Sequence, residues 1–448
     1  MSIKNFKRRN HGRALVLTAE MAHQDPRVSW NLDVLSREYD VTIAPATACA
    51  AYATLPFYKK WRVLTCGRTR DRSVRSAVVD GIRTILCLPG LLHLLIHGLF
   101  RNRRVVREIR ECASLRTGDP AWFFSITRCL KMHVAVWFAI RRTRYDLIWC
   151  HEFIMVPTAL RYRLRYPQCR IVWDEHEIGI IPPLRHGQAK VAEAVDAFVS
   201  VSEPIMEHQT RHLPALKGKG FCVPNIPTAS QPLSPQRACV PIRWVIVGME
   251  SPHLISGLRN FLRVWQRHAP KHCLLDCFIM QNSHLAYQQS QAFKDTAVPN
   301  VLFRKPLSHD LLAQELRSYD VGVVPYALQG LFRQASPNKV GEYIHAGLAV
   351  LLNADLEWYG QIVTDLGCGM VVNLFNDEAA GVAVRQLADP EFVTTLKQRA
   401  CRAAAMSWNY EAKVNPVFLH LAQVSTAQKG LTTESKNDGE WFSAKSNI

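Results

Sequence analysis

Short runs of apolar residues, each closed by a polar one, recur along the chain with helical spacing between them. Arg13-Ala-Leu-Val-Leu-Thr18 reads as a first strand, and Asp25-Pro-Arg-Val opens a helix to about residue 38. Asp40-Val-Thr-Ile-Ala-Pro45 follows as a second strand. Near-continuous apolar strands separated by helices predict parallel sheets buried on both faces. Asp146-Leu-Ile-Trp-Cys150, Arg170-Ile-Val-Trp-Asp174 and Ala197-Phe-Val-Ser-Val201 extend the series. A second set covers residues 242–248, 274–280, 301–303, 320–325 and 348–353. Between the sets, residues 224–241 hold five prolines (224, 227, 232, 235 and 241) among Ser, Gln and Asn. The pattern therefore predicts an α/β chain of two doubly wound, Rossmann-like domains: 1–224, a linker at 225–241, and 242–406. Ser407-Trp-Asn409 starts a closing helix to about residue 424, and the polar stretch 425–448 is expected to be disordered.

One stretch carries more chemistry than the rest: Arg333-Gln-Ala-Ser-Pro-Asn-Lys-Val-Gly-Glu-Tyr-Ile-His-Ala-Gly347. It lies between two predicted strands and reads as loop then helix. Ser336 is the expected N-cap, Pro337 the first helical residue and Gly347 the C-terminal stop. A helix start at the carboxyl edge of a parallel sheet offers free N–H groups and a partial positive charge, which suit a phosphate. Lys339 adds a full charge, and Glu342 lies on the same side, where its carboxylate can accept two sugar hydroxyls. An ordinary capped helix with one exposed ion pair fits the spacing equally well.

Composition narrows the class. At 448 residues, 48% hydrophobic and 21% charged, the chain fits about two globular domains. The thirteen cysteines are scattered, and the close pair Cys273 and Cys277 has no second pair at metal-ligand spacing. The first thirteen residues are basic and polar, without the apolar run of a secretory leader, so the reducing cytoplasm is the expected setting. No run of 18 apolar residues predicts a membrane span. The net charge of +18 is uneven: residues 59–144 carry 19 Lys/Arg against 5 Asp/Glu, a net of +14. Leu88-Pro-Gly-Leu-Leu-His-Leu-Leu-Ile-His-Gly-Leu-Phe100 precedes Arg101, Arg103, Arg104, Arg107 and Arg110, which alternate with Val105, Val106 and Ile109. An apolar stretch beside a basic helix predicts peripheral contact with an anionic membrane surface. The alternative is a pair of core helices with solvated basic faces. No helix-turn-helix, zinc or aromatic RNA-binding motif points to nucleic acid.

Polar residues also recur just after the strands: His151 and Glu152, Asp174 to Glu177, Ser202 and Glu203. They line the edge where open α/β sheets bind ligands. Glu175-His-Glu is not an established ligand spacing, and no metal is expected. The first turn lacks glycine, which sets aside a dinucleotide-binding domain and a nicotinamide cofactor.

Ser-Pro-Asn-Lys-Val-Gly-Glu-Tyr-Ile-His-Ala-Gly-Leu-Ala-Val, from Ser336, resembles the donor signature of the large retaining glycosyltransferase family with the GT-B fold. Thr18-Ala-Glu-Met-Ala-His-Gln-Asp-Pro-Arg-Val resembles that family's acceptor-facing first turn in its Asp-Pro-Arg branch, and Val-Trp-Asp-Glu-His-Glu resembles a strand end of the same family. The resemblance spans about 13–424, interrupted by a basic insert at 50–145. It implies two domains facing across a cleft, and transfer of a sugar from a nucleotide-sugar (UDP- or GDP-linked) to a lipid-linked or polysaccharide acceptor. Configuration would be retained, with no metal or cofactor. On this resemblance Ser336, Pro337, Asn338 and Lys339, with Arg333, meet the diphosphate, and Glu342 holds the ribose. Gln334 touches the sugar and His176 sits beside it. Asp25, Arg27, His151 and Glu152 lie on the acceptor side. For Asp25 and Arg27 a plain helix start fits as well.

Three positions depart from the family pattern. Gln334 stands where a second Glu is usual, Gly248 to Gly257 lacks an Arg or Lys, and Arg304-Lys-Pro306 replaces a glycine. They keep two alternatives open: a catalytically silent scaffold of a glycan-building complex, or a nucleotide-sugar 2-epimerase.

Overall fold

The computed structural model describes residues 12–18, 25–45, 62–63, 133, 135–176, 185–229, 237–249, 251–280 and 298–438. Most of the basic insert, residues 19–24 of the first turn, Glu177, part of the Pro-rich linker and the last ten residues lie outside them. The chain forms two compact units. The first comprises residues 1–200, 208–221 and 414–448; the second comprises 201–207 and 222–413.

In the first unit β1 (Gly12–Thr18), β2 (Tyr39–Pro45), β3 (Arg62–Val63), β4 (Leu147–His151), β5 (Arg170–Glu175), β6 (Ala197–Ser200) and β7 (Gly220–Cys222) form one sheet in the order β3-β2-β1-β4-β5-β6-β7. Pairing is parallel from β3 through β6. Its helices include α1 (Pro26–Leu35), α2 (Val156–Arg165) and α3 (Arg185–Ala194), and α4 (Glu203–His212) follows β6. The strands read as apolar runs because both faces are covered: Ala14 to Leu17 and Ile148 to Cys150 are fully buried.

The second unit repeats the plan. β8 (Ile242–Met249), β9 (Cys273–Met280), β10 (Val301–Arg304), β11 (Val321–Val324), β12 (Ala349–Asn353) and β13 (Gly369–Val372) lie in the order β10-β9-β8-β11-β12-β13. Its helices are α5 (Pro252–His268), α6 (His309–Leu316), α7 (Asn338–His345), α8 (Glu357–Leu366), α9 (Asp377–Gln386) and α10 (Pro390–Met406). Helix α5 buries Leu254, Leu258, Phe261, Leu262 and Trp265, the i, i+4, i+7 stripe of a core-facing helix. Gly257 lets it sit on the end of β11: a Cβ there would lie 1.5 Å from the Pro325 carbonyl oxygen.

In both sheets the strand order reverses beside the first strand, between β1 and β4 and between β8 and β11. Ligands of doubly wound sheets bind at such switch points, beyond the carboxyl ends of the strands. Strands β3, β7 and β13 were not expected, and the closing helix α11 (Tyr410–Asp438) continues past residue 424, where disorder was expected. No local cue in the sequence marks this extension, since eight of residues 425–438 are Ser, Thr, Gly, Asn or Asp, weak helix formers. From Val414 this helix belongs to the first unit: Phe418 stacks near Trp149 at 6.1 Å, and His420 Nε2 lies 3.0 Å from the Asp196 carbonyl oxygen. Among the described residues no helix is long and apolar enough to cross a membrane.

Candidate functional site

The second unit's cluster is built on α7. Its N-cap is Pro337, in extended conformation, and no side chain caps the helix. The expectation for Ser336 is therefore corrected. Its hydroxyl accepts the Asn225 N–H at 3.0 Å and donates to Tyr359 Oη at 3.2 Å, and its carbonyl accepts from Asn225 Nδ2 at 2.8 Å. A hydroxyl already held by another backbone amide is not available to the helix. Gly347 ends the helix as expected, with φ of 75°. The Tyr343 hydroxyl accepts the Val247 N–H at 2.9 Å and ties α7 to β8.

Lys339 and Glu342 are not an exposed pair. Nζ meets Oε2 at 2.6 Å, and Glu342 is buried. Its other oxygen, Oε1, is buried too and makes no hydrogen bond among the described residues; His309 Nε2 stands 3.5 Å away. Burial alone would raise this carboxyl, but the Lys339 ammonium and His309 outweigh it and lower the pKa to about 2. Burial and the Glu342 charge push the Tyr326 phenol up to about 12.

Arg333 and Gln334 both turn to Glu357, on the first turn of α8. Arg333 Nη2 meets Oε1 at 2.9 Å and Gln334 Nε2 meets Oε2 at 2.5 Å, at an exposed edge. The Gln334 carbonyl accepts from Ser202 Oγ at 2.8 Å. Thus the structure brings Lys339 and Glu342 together, and sets Arg333 and Gln334 on a different acid. In the turn before α5, Ser251 caps the helix and His253 Nδ1 meets the Ala327 carbonyl oxygen at 2.9 Å.

The first unit's cluster lies past β1, β4 and β5. Asp174 is fully buried. Arg27 Nε and Nη2 both donate to its Oδ1, at 3.0 and 2.8 Å, and Trp149 Nε1 donates to Oδ2 at 2.9 Å. Burial opposes the charge on Asp174; Arg27 and the two nearby histidines outweigh it and hold the carboxyl below its usual range. His151 is also fully buried, with Nε2 3.3 Å from Asn31 Oδ1 and Nδ1 3.6 Å from Asp174 Oδ2. Burial lowers its pKa to about 4, so the ring is neutral at pH 7. Arg27 and His151 were expected to face an acceptor. Instead they are buried against Asp174 and Asn31, because an unpaired carboxylate could not be tolerated there.

His176 is mostly buried. Its Nε2 lies 3.5 Å from Asp25 Oδ2 and 3.9 Å from Glu152 Oε1. Burial lowers its pKa, but Asp25 and Asp174 more than compensate and the net shift is upward. Asp25 divides its oxygens: Oδ1 caps α1 through the Arg27 N–H at 2.9 Å, and Oδ2 faces His176. Glu152 has φ 70° and ψ 147°, a conformation suited to glycine. Such a conformation costs a larger residue about 1–3 kcal/mol. Glu175 points to Trp173 Nε1 and the Phe153 N–H, both 3.2 Å from Oε2, and burial raises its pKa to about 7.

His151, Asp174 and His176 each offer a ligand atom within 4.8 Å of the others. Arg27 already donates twice to Asp174, and a cation beside that guanidinium would be repelled. The arrangement is that of a hydrogen-bonded ion-pair network. Sequence reasoning did not single out Asn225, His309, Tyr326, Glu357 or Tyr359. Only His309 left a signal, in a Ser-His-Asp helix start directly after a strand.

No protein-family model and no curated protein sequence matches the chain. Solved structures do. A UDP-forming α,α-trehalose-phosphate synthase from Burkholderia xenovorans aligns with TM-score 0.60 and 12% identity, over 92% of this chain and 99% of that one. WaaG, a glycosyltransferase involved in lipopolysaccharide biosynthesis, aligns with TM-score 0.53 and 11% identity, over 91% and 99%. WaaB, a lipopolysaccharide outer core galactosyltransferase, aligns with TM-score 0.53 and 10% identity, over 92% and 99%. At such identities the likeness shows the fold alone, and that fold is the two-unit α/β architecture of GT-B glycosyltransferases.

Proposed function

We propose that the chain is a glycosyltransferase whose second unit holds a nucleotide-sugar donor at α7. The observation that carries this reading is Glu342 Oε1, a buried carboxylate oxygen whose nearest donor, His309 Nε2, stands at 3.5 Å, on a group that Lys339 and His309 keep ionised. A buried acceptor held so loosely is costly. A ribose hydroxyl pair would supply closer donors. Lys339 then faces the diphosphate, with the backbone around Pro337 and Asn338. Departure of that diphosphate is the costly part of the reaction, and preorganised positive groups lower its barrier.

His176 is assigned to the transfer step. Its raised pKa and its two carboxylate neighbours support the assignment. Retention of configuration, independence from metal, and a lipid-linked or polysaccharide acceptor belong to this proposal. So do a UDP or GDP donor and attachment to an anionic membrane surface, which rests on the +14 net charge of 59–144. A second reading is a glycan-binding scaffold without turnover. It is favoured by Gln334 and Arg333 being bound to Glu357, and by the absence of Arg or Lys between Gly248 and Gly257.

The test is thermal unfolding with UDP, GDP, ADP and CMP, for the wild type and Glu342→Ala. A nucleotide at a hundred times its Kd adds about 2.7 kcal/mol. One base is expected to give a shift that the variant loses. A folded wild type that responds to none of the four rejects the donor site.

A further inference from the structure

Glu152 is the residue whose backbone and side chain disagree. It follows β4 directly, and its N–H donates to the Asp174 carbonyl oxygen at 2.8 Å as the chain turns into the short helix Phe153–Met155. The turn sets φ at 70° and ψ at 147°. Local geometry therefore asks for glycine, which enters this region without a Cβ clash. The side chain does not cap the short helix that it precedes. Its Oε1 points to His176 Nε2, at 3.9 Å.

The groups around that ring come from three elements. Asp25 and Arg27 come from the start of α1, His151 and Glu152 from the end of β4, and Asp174 and Glu175 from β5. Arg27 is matched by Asp174, and His151 is neutral. Asp25 and Glu152 are thus the two carboxylates directed at Nε2. Both distances are too long for a hydrogen bond and short enough for charge attraction. Nδ1 of His176 is buried and makes no hydrogen bond among the described residues. Catalytic contacts are often this loose before substrate binds.

We infer that Glu152 is a positioning residue, held in a glycine-type conformation in order to present a second carboxylate charge to His176 and orient that imidazole. The inference rests on the assignment of His176 to the transfer step.

Three full-length proteins test it: wild type, Glu152→Gly and Glu152→Gln. The His176 pKa is read by NMR of histidine-labelled protein, its signal identified by its loss in His176→Gln. Removing an opposite charge at this distance is expected to lower the pKa by about one unit in both variants, a tenfold change in proton affinity. Glu152→Gly is expected to melt about 2–4 °C above Glu152→Gln, because both lose the charge and only glycine relieves the strain. An unchanged His176 pKa in both variants overturns the inference. So does a Tm for Glu152→Gly no higher than that of Glu152→Gln, which would show no strain to relieve. The nucleotide shift is read on the same samples. If the pKa falls and no nucleotide binds, the donor reading fails and the role of Glu152 toward His176 stands.

Discussion

Two buried carboxylates, Asp174 near the end of β5 and Glu342 on α7, differ in one respect. Asp174 is saturated: Arg27 holds Oδ1, and Trp149 holds Oδ2 with His151 close by. Glu342 is half satisfied: Lys339 holds Oε2, and Oε1 has only His309 Nε2 at 3.5 Å. Both are kept ionised by a neighbouring cation against the pull of burial. A carboxylate with both oxygens held by close donors belongs to the scaffold. One with a loosely held buried oxygen has capacity for a ligand. Residue type and burial do not separate the two; the inventory of partners does.

The largest effect should come from the saturated group. Asp174→Asn leaves the Arg27 charge buried without its partner, which costs about 3–5 kcal/mol and is read from the urea midpoint. Replacing both members, Arg27→Met with Asp174→Leu, should recover most of that loss. No recovery would mean that the pair is not chiefly scaffold.

Glu342 should behave differently with pH. Its folded pKa of about 2 lies below the ordinary 4.5, so its contribution is present above pH 4.5 and fades as pH falls toward 2. That contribution is on the order of 2 kcal/mol, and Glu342→Gln should lack the acid-side loss. Glu175 carries the opposite sign. Its folded pKa is raised from 4.5 to about 7, so its contribution is present below pH 4.5 and is lost as pH rises through 7. Glu175→Gln keeps the neutral form and should be more stable than wild type at pH 8 by on the order of 2 kcal/mol. Stability measured against pH for the two variants would show opposite slopes removed.

The smallest effect is expected at the exposed edge. Arg333→Ala breaks an ion pair with Glu357 in which both side chains are over 40% exposed, and should change stability by less than about 1 kcal/mol. If Arg333→Ala also leaves the nucleotide shift intact, Lys339 carries the diphosphate charge alone.

Much of this fold is legible in the sequence, since parallel strands buried on both faces announce themselves as apolar runs such as Val350 to Leu352. The pairing of Lys339 with Glu342 is legible too, because helical spacing fixes it locally. The role of Ser336 was not. Its hydroxyl bonds across more than a hundred residues to Asn225, and no local pattern encodes such a partner. The same holds for Arg27 with Asp174 and for His309 with Glu342. Strand β13 is short and begins at Gly369, giving too little apolar pattern to register. The helix beyond residue 424 was missed because more than half of residues 425–438 are weak helix formers.

The first unit closes with residues from the far end of the chain: Phe418 against Trp149, and His420 on Asp196. During synthesis, residues 222–413 have all emerged before the helix segment that completes this packing is made. The unit translated first is therefore completed last, the reverse of the usual order along a nascent chain. Until then it exposes Trp149 and a buried ion-pair network to water and to other chains, which makes the interval between translation of residue 221 and residue 420 the stage at which this protein depends most on being shielded.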